Sequence, residues 1–137
     1  MFCTSARSYV FRMPLVRISL GIPKSPEVIQ AISDGIHRAL VDAFGIPEDD
    51  RFQVVCPNES LVYDRGYLGI ERSEDVIFVQ VTLVRGRAVE KKRTFYRLVV
   101  ENLSRSPGLR KQDIVISLVE NDRADWSVGN GEAQLLI

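Results

Sequence analysis

The sequence predicts an α+β fold: two βαβ units in tandem, joined in one mixed sheet with both helices on one face. Three observations carry this. Two segments that alternate like strands each precede a segment with helical spacing, and each helix is followed by another short strand. The two copies fall into register at one fixed spacing. The stretch between them is rich in turn formers, as a connection between units should be.

Taken in order, Leu15–Leu20, "LVRISL", alternates as the first strand. Ser25-Pro26-Glu27 is a helix start: a serine cap, a proline in the first helical position and an early acid that suits the helix dipole. Val28, Ile29, Ile32, Ile36, Leu40 and Phe44 then recur at helical spacing, so one face of Pro26–Phe44 is expected inside, with Gly45 ending the helix. "RFQVVC", Arg51–Cys56, is the second strand. "PNESLVYDRGYLGIERSE" reads as a hairpin or excursion, too long for a plain connection and so a candidate binding element. Within it Glu71 and Arg72 suggest a charge pair at a turn edge.

The second copy begins at Asp75-Val76 with the long strand "VIFVQVTLV". "AVEKKRTFYRLVVENLSRSPG" is its helix, with Phe95, Leu98, Val99 and Leu103 inward, and "DIVISLVEN" is the closing strand. Gly45 and Gly108 end the two helices 63 positions apart (108 − 45). At that spacing Ser25 meets Ala88, Ile32 meets Phe95, Ile36 meets Val99, Leu40 meets Leu103 and Asp50 meets Asp113. Each unit is of the kind that gives parallel strands with a right-handed crossover. The tail, "NDRADWSVGNGEAQLLI", is a segment expected to pack against another chain or to cover a pocket.

At 137 residues the chain reads as one domain, residues 14–137, preceded by a leader, residues 1–13, that is disordered or untranslated. The first twelve residues hold two arginines, two serines and no acid, but are too short for a targeting peptide. An upstream start codon, with Met13 the working start, is the simpler reading. Eighteen basic and eighteen acidic residues cancel, so no global field draws the chain to nucleic acid or to an anionic membrane. No apolar run approaches the roughly 18 residues of a membrane span. Cys3 and Cys56 form no CxxC, and His37, the one histidine, has no partner at metal-ligand spacing. The expectation is a cytoplasmic protein without a disulfide framework or structural zinc.

Four positions could carry chemistry. Arg85 and Arg87, in "VRGR", stand two apart at a strand end, so in extended chain both point one way; they are either a carboxylate clamp or two solvated charges. Asp50 lies just before a strand, where it either caps a turn, as Asp113 would in the second copy, or takes part in catalysis. His37 reads as a surface or capping residue, and Trp126 as packing. Pro14, in "MPLVRISL", is different in kind. As an amino terminus it carries a secondary amine that can serve as base, acid or nucleophile. With residues before it, its nitrogen is an amide and it only opens a strand.

Together these pieces resemble the tautomerase superfamily, and within it the malonate semialdehyde decarboxylase-like branch. The resemblance covers Pro14 to about Leu135. It rests on "MPLVRISL", "AFGIPEDDRFQVV", "YLGIERS", "RGRAVEKK" and "LVENDRADWSVGNGEAQ". It implies a catalytic proline at Pro14, a catalytic aspartate at Asp50, substrate-carboxylate arginines at Arg85 and Arg87, and an aromatic pocket wall at Trp126. A second aromatic wall position is Val128 here, which widens the pocket. The implied activity is cofactor-independent decarboxylation of a small 3-oxo acid in a homotrimer. Keto–enol tautomerisation of a 2-oxo acid such as phenylenolpyruvate, or a related hydration, is an alternative. If the leader is retained, a trimeric module that only binds small carboxylates is another.

Overall fold

The structure, a computed structural model, describes residues 13–136. The leader reading therefore falls outside the described residues, apart from Met13. Six main elements follow in chain order: β1 (Leu15–Leu20), α1 (Pro26–Phe44), β2 (Gln53–Cys56), β3 (Ile77–Val84), α2 (Val89–Arg105) and β4 (Ile114–Asn121). The sheet order is β2-β1-β3-β4. β1 runs parallel to β2, β3 runs parallel to β4, and the two pairs meet antiparallel through β1 and β3. This is the mixed sheet expected of two joined βαβ units.

The helix starts follow local chemistry. The Ser25 hydroxyl accepts from the Val28 amide at 3.2 Å, and Gly45 closes α1 in the left-handed region at φ 69°. The repeat extends to hydrogen bonds. The Ile46 amide donates to the Leu40 carbonyl, and Leu109, 63 positions on, donates to that of Leu103. α2 nevertheless stops at Arg105, short of Gly108. Pro107 disfavours helical backbone at Ser106, which is extended at φ −153°, ψ 116°.

One core fills the space between sheet and helices. Val16, Ile18, Leu20, Ile77, Val79, Val81 and Leu83 come from the sheet; Ile32, Ile36, Leu40, Phe44, Phe95, Val99 and Leu103 come from the helices. Phe44 and Phe95 stack with centroids 5.0 Å apart, tying α1 to α2. The helices approach closely at Gly35, where a Cβ would lie 2.8 Å from Leu103 Cδ2, and the Asn102 side chain donates to the Gly35 carbonyl at 2.9 Å.

Of the two readings of the connection between the copies, the excursion holds and not the hairpin: it is a loop with a short 3-10 turn at Tyr67–Gly69. Two expectations need correction. The Arg72 guanidinium donates to the carbonyls of Asp64, Tyr67 and Ile70, not to Glu71. Left-handed Leu68 and Gly69 curl the loop so that its carbonyls converge, and a planar group with several donors fits them. His37 is not on the surface: it is 2% exposed, and its Nε2 pairs with the Glu48 carbonyl at 2.8 Å, tying α1 to the loop after it.

Candidate functional site

Strand polarity gathers the candidate residues. β1 and β2 start at the end of the sheet where β3 and β4 finish. Residues just before β1 and β2 therefore meet residues just after β3 and β4. Pro14 and Asp50 belong to the first set; Arg85, Arg87, Trp126 and Val128 belong to the second.

Pro14 is buried at the head of β1. Its nitrogen is bonded to the carbonyl of Met13, so in this chain it is an amide. Asp50 is 7% exposed, set by a turn in which its own amide donates to the Pro47 carbonyl at 3.1 Å. Its Oδ2 accepts the Met13 amide proton at 2.8 Å, which brings the carboxylate beside the chain immediately preceding Pro14. The second copy shows the structural counterpart: buried Asp113 accepts from both the amide and the hydroxyl of Ser73, each at 2.7 Å. Each aspartate thus pins the segment leading into the neighbouring strand.

The two arginines do not share an orientation. Between them Gly86 sits at φ 121°, outside extended backbone, so the two-residue spacing no longer sets both on one side. Arg85 is exposed, and its Nε donates to Asp122 Oδ1 at 2.6 Å; that hydrogen bond raises its pKa further above the ordinary arginine value. Arg87 is 6% exposed, lies 5.1 Å over the Phe44 ring, and donates from Nη1 to the Val84 carbonyl at 2.5 Å. Burial lowers its pKa, with Glu120 acting in the opposite sense.

Trp126 donates from Nε1 to Asn121 Oδ1 at 2.8 Å and packs on a small apolar cluster of Met13, Val84 and Leu135. Beside that cluster a cavity of about 370 Å³ opens between Met13, Pro47, Asp50, Phe52, Val128 and Gln134. Val128 is thus a wall beside Asp50. The tail covers this cavity, as the sequence reading allowed: Gln134 accepts from the Val128 amide at 3.0 Å and donates to the Gly129 carbonyl at 2.6 Å. Gln134, Leu135, Phe52 and Val84 were not anticipated. Only tertiary closure of the tail brings Gln134 and Leu135 here; Val84, two residues before Gly86, carried no polar signal. Among the described residues no cluster of His, Cys, Asp and Glu is arranged to hold a metal ion. No described helix is long and apolar enough to cross a membrane.

The family model described as "Tautomerase enzyme" matches residues 50–129, more than half of the chain. The chain belongs to the tautomerase family. The tautomerase match takes in Asp50, Arg85, Arg87, Trp126 and Val128 and leaves Pro14 outside it. A curated relative, probable tautomerase YusQ of Bacillus subtilis (strain 168), is 37% identical over 126 residues, covering 90% of this chain and 99% of its own length. Among solved structures, FG41 malonate semialdehyde decarboxylase inhibited by 3-bromopropiolate matches with a TM-score of 0.84 at 35% identity, over 89% of this chain and 94% of that one. A second malonate semialdehyde decarboxylase, described with decarboxylase and hydratase activities, matches with a TM-score of 0.79 at 39% identity, over 89% and 95% of the two chains. The tautomerase fold, with its two helices and mixed four-stranded sheet, is the one read from the sequence.

Proposed function

We propose that this chain, with Pro14 as a free amine, decarboxylates a small 3-oxo acid of the malonate semialdehyde kind without a cofactor. One observation carries the reading: the Asp50 carboxylate lies within hydrogen-bond reach of the nitrogen next to Pro14, at the sheet end shared with Arg85 and Arg87. The similarity to two malonate semialdehyde decarboxylases supports it.

The substrate carboxylate turns toward the arginines, which bind carboxylates in a two-pronged fashion. Arg85 exchanges Asp122 for the substrate, a small cost because that pair is exposed. Protonated Pro14 polarises the carbonyl, or its neutral form condenses with it to an iminium with loss of water. The carbon–carbon bond to the carboxylate then breaks, CO2 leaves, and the electron pair moves into the polarised carbonyl or iminium. A proton returns to carbon, and in the iminium route water releases the product. Asp50 orients Pro14, or activates water in a related hydration. Val128 walls the cavity beside Asp50, and Trp126 closes the apolar cluster next to it.

Keto–enol tautomerisation of a 2-oxo acid such as phenylenolpyruvate is the second reading, favoured by the name of the curated relative. It needs only the proline and an arginine. With Pro14 acylated, the third reading is a module that binds small carboxylates without turning them over. A homotrimer is proposed on the resemblance, supported by the sheet face away from the helices, where Leu15, Val54, Val115 and Val119 are exposed.

The test is a chain whose first residue is Pro14, verified by intact mass, assayed on malonate semialdehyde and on phenylenolpyruvate. Turnover of the first, abolished by Pro14→Ala, is expected. Turnover of only the second establishes the tautomerase instead. Full turnover in Pro14→Ala removes the proline from the mechanism.

A further inference from the structure

Met13 is held unusually well for a residue ahead of the first strand. It is 8% exposed, its amide donates to Asp50, and its side chain packs on Val84, Leu135 and Trp126, which are respectively 3% exposed, 2% exposed and partly buried. It adopts φ 57°, a left-handed conformation disfavoured for a residue with a side chain. Residues stay in such a conformation when their surroundings over-determine it. Here the apolar pocket and the Asp50 bond do so together.

The geometry points to a substrate subsite, a proposal that rests on the reading of Pro14 as the reacting amine. The Met13 carbonyl carbon is bonded to the Pro14 nitrogen. It therefore marks where the carbonyl carbon of a substrate meets that nitrogen once Met13 is gone. The Met13 side chain correspondingly marks where the second substituent of that carbonyl goes. We infer that the pocket between Val84, Trp126 and Leu135 takes an unbranched apolar tail about as long as a methionine side chain. The preferred ligand is then a 3-oxo acid whose ketone carries a short alkyl or thioether chain, rather than malonate semialdehyde, which carries only hydrogen there. The walls are hydrocarbon and indole, so the tail is chosen by burial and not by polar contacts. The same contacts close the pocket to ligands while Met13 fills it.

Two measurements test this, both readable through Trp126, the one tryptophan of the chain. The first uses the full chain carrying Met13→Gly, a change that keeps the amide donor and suits the left-handed backbone. Hexanoate should perturb the Trp126 fluorescence of this variant, acetate should not, and neither should affect the parent. The second uses the chain that begins at Pro14, which retains every strand and helix. Across 3-oxobutanoate and its longer straight-chain homologues, which share one reacting ketone, kcat/KM should rise about fourfold per added methylene until the pocket is full.

A folded Met13→Gly chain that responds equally to hexanoate and acetate overturns the subsite. If that variant does not fold, the same pair of probes on the chain beginning at Pro14 decides in the same way. Turnover of malonate semialdehyde with no gain from a tail also overturns the subsite, while leaving the decarboxylase reading in place. Tail-dependent binding with no turnover of any oxo acid supports the subsite and overturns the decarboxylase.

Discussion

The Met13 amide and the Asp50 carboxylate are joined at 2.8 Å, linking the residue before Pro14 to the residue that opens the approach to β2. The bond is buried and spans 37 positions of sequence. In the second copy Asp113 does the same work with Ser73, through two bonds. An aspartate ahead of the outer strand is thus a shared structural device, and in the first copy it lies beside the segment that leads into Pro14.

The pair gives an internal comparison. Asp50→Ala should destabilise the full chain by about 1–3 kcal/mol, the cost of orphaning a buried donor. Asp113→Ala should likewise destabilise it, because it removes the acceptor of two bonds from Ser73. Urea denaturation of both variants checks this; an Asp113→Ala variant as stable as the parent would show that the Ser73 bonds add nothing.

Arg85 and Arg87 should separate stability from activity. Arg87→Ala removes a buried guanidinium from the Phe44 ring and the Val84 carbonyl, and should cost about 2 kcal/mol or more. Arg85→Ala should leave the melting temperature unchanged, since its ion pair is exposed. In the chain beginning at Pro14 it should raise KM for carboxylate substrates. An unchanged KM would return Arg85 to the surface.

Gly35 is where the two helices come closest. Gly35→Ala should gain about 0.5–1 kcal/mol in helix propensity. It should lose about 1–3 kcal/mol by pushing into Leu103, for a net loss. Gly35→Val should be worse. Thermal melts of the two variants read this directly, and a more stable Gly35→Ala would mean that Leu103 yields.

One exposed carboxylate offers a pH test. The Arg51 guanidinium, donating to Asp34, holds its carboxyl below the ordinary 3.8, with burial opposing. A depressed folded-state pKa stabilises the fold above the unfolded value, and the benefit disappears as pH falls through the folded value. Because both side chains are substantially exposed, the coupling should be below about 1 kcal/mol. A double-mutant cycle of Asp34→Ala and Arg51→Ala should give a favourable coupling at neutral pH and a smaller one below the folded-state pKa. Equal couplings would refute the assignment.

What the sequence determined by itself was everything written in local periodicity. The span of α1, its serine and glycine caps, the inward faces of both helices and the fold class follow from spacing. Spacing also places Asp50 and Asp113 at matching points of a repeat. These features depend on which residues lie a turn apart, and side chains a turn apart meet whatever the rest of the chain does.

What only the tertiary structure decided depends on chain that is distant in sequence, or on a backbone angle no pattern announces. Arg85 and Arg87 read as a parallel pair until Gly86, at φ 121°, turns one outward to Asp122 and the other inward to Phe44. Arg72 and His37 took carbonyl partners that only loop closure supplies. The tail residues Gln134 and Leu135 reach the site because the chain after β4 folds back over the cavity. Met13, read as part of a leader, is buried because strand polarity delivers it to Asp50, Val84 and Trp126 together. Burial is a property of the assembled surface, so no single segment encodes it.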